Sequence, residues 1–374
     1  MKKKYLIILI ISIALIAGCI TQFIPETDDS TNILVVEGMI TDMNRNHRIK
    51  ISRTLPLGKF VAPKPVKGCL VSIIDENNTS YSLKEFPTGT YTTDSTKFCA
   101  HVGGKYELKI VFGNHTYLSS QMEMVPVPQI DSLFYEKVLI TESNEFGRAE
   151  EGCRIYLDTN DPEKKCLYYR WDFTETWEFN IPYNAVQRSK CWITEASDRI
   201  HIKNTSIYDQ ARVSRYPLLY ISNETDRLKD KYSIMVKQYS LSQDEYNYWE
   251  KLQHVYENVG GLYDVTPMVI PSNIRSLNDP DEIILGYFSV SAVAEKRIFI
   301  DERFEGMPFL YNNCPADTVY GGSNVPIEGL NSYAWVIEDY TYLLDGPYRV
   351  ITYAKECADC TTRGSDVRPS FWSD

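Results

Sequence analysis

From Asn32 to Pro128 the apolar residues recur at every second position in short runs, and each run is broken by Gly, Asn, Asp or Pro. Side chains alternate across a strand, so this period places one face in a core and the other in water. Lys105-Tyr-Glu-Leu-Lys-Ile-Val-Phe112 is the clearest case, with Tyr106, Leu108, Ile110 and Phe112 on one face. Strands are also predicted at Ile33–Ile40, His47–Arg53, Cys69–Ile74, Tyr81–Leu83, Gly89–Tyr91 and Thr116–Ser119. Asp42–Asn46, Asp75–Asn78 and Gly113-Asn114 supply turns. Such spacing predicts an Ig-like β-sandwich over residues 32–128, ending near Pro126-Val-Pro128.

Residues 129–374 read as a larger β-rich domain with one helix. Its clearest strand is Tyr169–Phe179. Trp171, Phe173, Trp177 and Phe179 share one face, and Arg170, Asp172, Thr174, Thr176 and Glu178 share the other. Glu175 lies on the aromatic face. A carboxylate there needs a partner or a raised pKa. A ligand cation or hydroxyl would serve, and so would an arginine or a wet edge. Trp171, Glu175 and Trp177 are therefore candidate ligand-binding residues, although an aromatic stripe at strand spacing also describes plain core. Further strands are expected at Arg154–Leu157, Leu218–Ile221 and Lys231–Lys237.

The amphipathic helix is predicted near 242–259. Ser242 can cap it, Glu245 can complete a capping box, and Leu241 can staple against Tyr246. Tyr248, Leu252, Val255 and Val259 recur at helical spacing, and Gly260-Gly261 stops the run.

The chain of 374 residues has a formal net charge of -11. Without the three lysines at its start, 36 basic residues face 50 acidic ones, a balance near -14. That opposes nucleic-acid binding. No GxSxG, HExxH, phosphate-loop or EF-hand pattern occurs, and His47, His101, His115, His201 and His254 lack ligand spacing. The expectation is a non-enzyme without catalytic residue, metal or cofactor. A carboxylate pair for glycoside hydrolysis stays open, because such pairs are set in space.

Lys2-Lys3-Lys4 precede an apolar run from Leu6 to Ala17, and small residues lead to Cys19. Basic head, apolar middle and small-residue exit are the order of a secretory signal. The run falls short of the ~20 residues that span a bilayer. Ile16-Ala17-Gly18-Cys19 resembles a bacterial lipobox. That resemblance implies a signal peptide over 1–18, lipid on Cys19, and a tether over 19–31. Eight cysteines then remain, and an even number in an exported chain favours disulfides. The expected pairings are Cys69 with Cys99, which sit in one segment, and Cys314 with either Cys357 or Cys360. Cys357-Ala-Asp-Cys360 could instead be a redox or metal motif, yet no second CxxC accompanies it.

Leu34-Val-Val-Glu-Gly-Met-Ile-Thr41, Gly89-Thr-Tyr91, Pro128-Gln-Ile-Asp131, Leu285-Gly-Tyr-Phe-Ser-Val290 and Cys357-Ala-Asp-Cys-Thr-Thr-Arg-Gly364 resemble the DUF4249 lipoproteins of Bacteroidota. The first domain is also similar to the carboxypeptidase-regulatory, transthyretin-like sandwich. The family brings no catalytic residues to carry over. It implies a lipid-anchored protein of the outer membrane and cell surface, acting as binding or docking partner of a TonB-dependent β-barrel receptor in uptake. The alternatives are a structural or assembly subunit of an outer-membrane complex, and a glycan-acting hydrolase.

Overall fold

The computed structural model describes residues 32–54, 63–140, 150–181, 188–222, 225–258, 270–302, 304, 314–320, 334–340 and 348–373. Cys19, Val259 and Gly260-Gly261 lie outside these residues. The fold is mainly β, with one α-helix among the described residues.

Two facing sheets form the first sandwich. One runs in the order Lys84–Glu85, Thr90–Thr92, Arg48–Arg53, Leu34–Thr41, Ile284–Ser291, with Lys64–Pro65 on Arg48–Arg53. The other runs Ser80–Ser82, Leu70–Asp75, Lys105–Phe112, His115–Ser119, Ile274–Ser276, with Met122–Glu123 on Lys105–Phe112. The period-two pattern becomes the core: Val36, Ile40, Ile49 and Ile51 meet Val71, Ile73, Tyr106, Leu108 and Ile110. Phe112 is half-buried against the same cluster.

Two strands of this sandwich come from far downstream, so residues 32–128 supply most of it but not all. Ile284–Ser291 pairs in parallel with Leu34–Thr41, from Leu34 beside Ile284 to Thr41 beside Ser291. Gly286 permits the close approach. Its φ is +87°, and a Cβ there would collide with the carbonyl oxygen of Val36. Only glycine tolerates both demands.

The same stretch then leaves the first body. After Ala292 it continues as Val293–Ile300, antiparallel to Tyr232–Leu241 in a second assembly. There the sheet Lys190–Ala196, Tyr168–Asn180, Tyr232–Leu241, Val293–Ile300 carries His201–Asn204 on Tyr168–Asn180. It packs on the three-stranded sheet Ile130–Ile140, Glu150–Asn160, Arg212–Ser222. A further small sheet orders Ala316–Tyr320, Tyr348–Thr352, Trp335–Tyr340. The two large bodies meet where Val293 donates its N–H to Asp42 Oδ1 (3.0 Å) and Ser240 Oγ donates to the Val125 carbonyl.

The helix Gln243–Asn258 wedges between them. Ser242 Oγ accepts the Glu245 N–H at 3.2 Å, as a cap should. Leu241 and Tyr246 share one small cluster, with Trp249 packed on it, while Tyr248 packs on the first core with its ring 4.6 Å from Tyr287. Glu245 departs from the capping box. Its side chain is fully buried and Oε1 accepts from Trp249 Nε1 at 3.3 Å. Burial pushes its carboxyl up to about 7. The buried Arg170 guanidinium balances this end of the helix, stacked on Trp249 at 4.2 Å and paired with Asp172 at 2.9 Å.

The disulfides are Cys191–Cys360 and Cys314–Cys357. Cys314 thus takes a member of the CxxC pair, as expected, and Cys191 takes the other. With both sulfurs bonded to distant partners, Cys357-Ala-Asp-Cys360 is neither a redox dithiol nor a metal knuckle. The expected Cys69–Cys99 bridge does not form, and both thiols are reduced. Cys69 opens the strand Leu70–Asp75 at the Val111 end, whereas Cys99 lies near His101, whose N–H donates to the Tyr106 hydroxyl opposite Asp75. A whole strand separates the two, and a disulfide needs Cα atoms within about 7 Å.

Gly286→Ala should lower unfolding stability by about 2–4 kcal/mol, because it adds left-handed strain to a backbone clash. Urea unfolding measures this, and a loss within experimental error would show that the parallel pair tolerates a side chain.

Candidate ligand cleft

The strand Tyr168–Asn180 lies at the centre of its sheet and is buried on much of both faces. On the aromatic face Trp171 is fully buried. Its Nε1 donates to Gln238 Oε1 at 2.8 Å, and Gln238 Nε2 in turn donates to the Pro128 carbonyl and to Thr159 Oγ1. Tyr169 and Tyr216 flank the ring at 5.8 and 4.5 Å. Trp171 is therefore core, with its one donor spent, and offers no face to a ligand.

Glu175 sits two residues from Phe173 and from Trp177, with 4% of its surface exposed. The Tyr232 hydroxyl donates to Oε2 at 2.7 Å, and Arg227 reaches both oxygens at 3.3 and 3.4 Å. Burial raises the carboxyl above its usual range, while Tyr232 and Arg227 draw it back. The same burial, together with the neighbouring carboxylate, raises the Tyr232 phenol well above its usual value. An arginine is thus the partner that Glu175 required. Trp177 lies beneath that arginine, 3% exposed, with the guanidinium 5.4 Å from its ring. It supports the site from below.

Directly across the antiparallel pair from Glu175 stands Glu195. Like charges in such a position repel. Arg227 relieves this by reaching Glu195 Oε2 at 3.6 Å as well. Arg227 itself is placed by a turn whose Asp226 is buried and paired with Arg363 at 2.8 Å. Arg363 follows Cys360 by three residues, so the Cys191–Cys360 bridge fixes the segment that holds the turn.

Around this pair opens a cleft of about 600 Å³, lined by Phe173, Glu175, Glu195–Arg199, His201, Leu218–Tyr220 and Arg227. The Phe173 backbone exchanges hydrogen bonds with Ser197, which fixes the Glu195–Arg199 turn against the strand. His201 pairs across from Trp171 and packs 5.7 Å from Phe173. Burial, aided by Arg199, lowers its pKa, so the imidazole is neutral near pH 7. The walls are thus aromatic and the rim carries both signs of charge. Such a lining suits a polar solute with both donors and acceptors.

A second hollow of about 570 Å³ is lined in part by Lys190, Trp192, Lys231, Asp301 and Trp372. Its charges are already paired, Lys190 with Glu178 at 2.7 Å and Lys231 with the Ser373 carbonyl at 2.7 Å. Among the described residues no group of three or more His, Cys, Asp or Glu could hold a metal ion.

Of the three residues singled out by sequence, only Glu175 reaches the cleft. The partners that build the site, Arg227, Glu195 and His201, went unmarked. The one available signal was the run Glu195-Ala-Ser-Asp-Arg-Ile-His201, a dense set of polar groups just after a strand.

The pH dependence of stability has a definite sign. A carboxyl whose folded pKa is raised stabilises most below its unfolded pKa and loses that contribution as pH rises through the folded value. Arg227→Ala removes the charge that opposes the rise. Its cost should be small near pH 4 and about 2–4 kcal/mol near pH 8, where Glu175 is left buried and unpaired. Glu175→Gln should flatten that pH dependence. Urea unfolding at both pH values decides, and an Arg227→Ala cost independent of pH would contradict the assignment.

Residues 20–297 match a family model described as Domain of unknown function (DUF4249). No curated protein matches the chain.

Proposed function

The chain belongs to the DUF4249 family, and on that premise we propose that it is a lipid-anchored binding module of the outer membrane. In this reading lipid is carried on Cys19, and the chain faces the cell surface. It captures a small polar solute, a glycan or a short peptide, and serves as docking partner of a TonB-dependent β-barrel receptor. The observation that carries the binding role is the cleft over Glu175, with aromatic walls, a mixed-charge rim and a floor held by Arg227 and Tyr232. The signal-like start with its lipobox resemblance supports the anchor. Two disulfides suit an oxidising compartment outside the cytoplasm. The receptor partnership rests on the family resemblance.

A hydrolase is the second reading, because Glu175 and Glu195 stand opposite each other on neighbouring strands. Cross-strand carboxylates fall near the separation used by retaining glycosidases. The binding role is preferred because Glu175 already accepts from Tyr232 and Arg227 and is almost wholly buried. A general acid must present its proton to a leaving group.

The test pairs a detergent pull-down of the full chain with titration of oligosaccharides and short peptides. A β-barrel should co-purify, and saturable binding should weaken at least about tenfold in Arg199→Ala, the loss of one charge-assisted contact from the rim. Recovery of a barrel with no solute bound by any probe would favour an assembly subunit. Turnover of a glycan that is abolished in Glu175→Gln would favour the hydrolase.

A further inference from the structure

The first sandwich has two unlike ends. At the Thr41 and Ser291 end the second body covers it, through Val293 on Asp42 and the bridge of Val125 to Ser291. At the other end the described chain begins. Thr54 donates its N–H to the Ile33 carbonyl, and Leu34 pairs with both Arg53 and Ile284. No other part of the described chain packs over this end as the second body does over the far one.

Four strongly exposed apolar side chains gather here. The register shows why. Leu70 pairs with Val111, Val111 with Thr116, and Leu277 donates its N–H to the Thr116 carbonyl. Leu70 and Leu277 therefore lie at one level of the second sheet, 74% and 53% exposed. In the first sheet Phe86 donates its N–H to the Thr90 carbonyl, level with Lys50 and three rungs in from the Leu34–Arg53 rung, and opens the turn to Gly89 that points toward this end. Phe86 is 81% exposed. Ile283, 51% exposed, directly precedes Ile284 and so stands beside the point where the chain enters. Glu85 ties the two sheets together here by accepting the N–H groups of Gly68 and Gly89. Single exposed apolar residues are ordinary, but several of them toward one end of the described sandwich mark an interaction surface.

We infer that this end of the first sandwich lies on the lipid surface, with Phe86, Leu70, Leu277 and Ile283 entering the headgroup boundary. The inference rests on the reading of Cys19 as a lipid anchor. Twelve residues separate Cys19 from Asn32. At about 3.5 Å each they span at most roughly 45 Å, and they join the described chain at this end and not at the covered one. Apolar side chains that enter the acyl boundary strengthen attachment in proportion to the area they bury. Lys64 and Lys67, together with Asp279 and Asp281 in the turn between Leu277 and Ile283, are exposed here and present both signs of charge to a zwitterionic headgroup. The solute cleft is carried by the other body, reached along the continuous path Ile284–Ser291 and Val293–Ile300.

The test uses the full chain in phosphatidylethanolamine vesicles that contain brominated lipid. Phe86→Trp and Leu277→Trp report depth at this end, and Asn44→Trp, in the exposed turn after Thr41, reports the other. Fluorescence of the Phe86→Trp and Leu277→Trp chains should fall at least twofold more than the parental signal, with no added quenching in Asn44→Trp. Intact mass of the same sample reads lipidation separately. Absence of an acyl adduct would defeat the anchor reading. A lipidated, vesicle-bound chain with unquenched reporters at this end would overturn the surface assignment while leaving the anchor intact. Quenching at Asn44→Trp instead would reverse the orientation and overturn it too. As a second readout, Phe86→Asp combined with Leu277→Asp should speed transfer between vesicles at least threefold. Both sites are exposed, so the fold should survive, and an unchanged rate would count against the inference.

Discussion

The parallel ladder between Leu34–Thr41 and Ile284–Ser291 is the constraint on which the rest of the molecule depends. It closes the first sandwich with a strand drawn from some 240 residues away, and that strand runs on into the second body as Val293–Ile300. A loop of this length costs much entropy to close, so the contact must be specific to be stable. Gly286 supplies the specificity, since only a residue without Cβ can lie against Val36 at positive φ. The N-terminal stretch and the sheet beneath the cleft are thereby fixed to one continuous piece of backbone.

The cleft follows from electrostatics imposed on that scaffold. Placing Glu175 on the aromatic face creates a burial cost, and placing Glu195 opposite adds repulsion. One arginine answers both, held by a turn that is braced through Asp226, Arg363 and the Cys191–Cys360 bridge. A polar floor already satisfied in this way leaves the rim groups, Glu195, Asp198 and Arg199, to meet a solute. The arrangement is better suited to holding a ligand than to moving protons.

Local pattern made much of the fold legible. Alternation in Lys105–Phe112 and Tyr169–Phe179 reported their buried faces, and Ser242 with Leu241 and Tyr246 announced the helix start. Apart from the pairing of Cys314 with Cys357, what failed was what depends on distance in sequence. Ile284–Ser291 reads as a strand without revealing its partner. Cys69 and Cys99 are near in sequence yet a strand apart in space, while Cys191 and Cys360 are 169 residues apart and bonded. Glu245 fits a capping box by spacing, but burial against Trp249 takes its carboxylate elsewhere. Trp171 and Trp177 share the face of Glu175, but period two says only which face, not which part of that face is open.

The claim that the parallel ladder holds both bodies together is tested most directly by hydrogen exchange of the full chain, followed by mass spectrometry. Amides of Leu34–Thr41 and Ile284–Ser291 should exchange slowly and as one cooperative unit. Gly286→Ala should speed both, and should speed Tyr232–Leu241 with them, because the same backbone continues into that sheet. Fast exchange of Ile284–Ser291 beside a protected Leu34–Thr41, or a Gly286→Ala effect that stops at Ser291, would contradict the account.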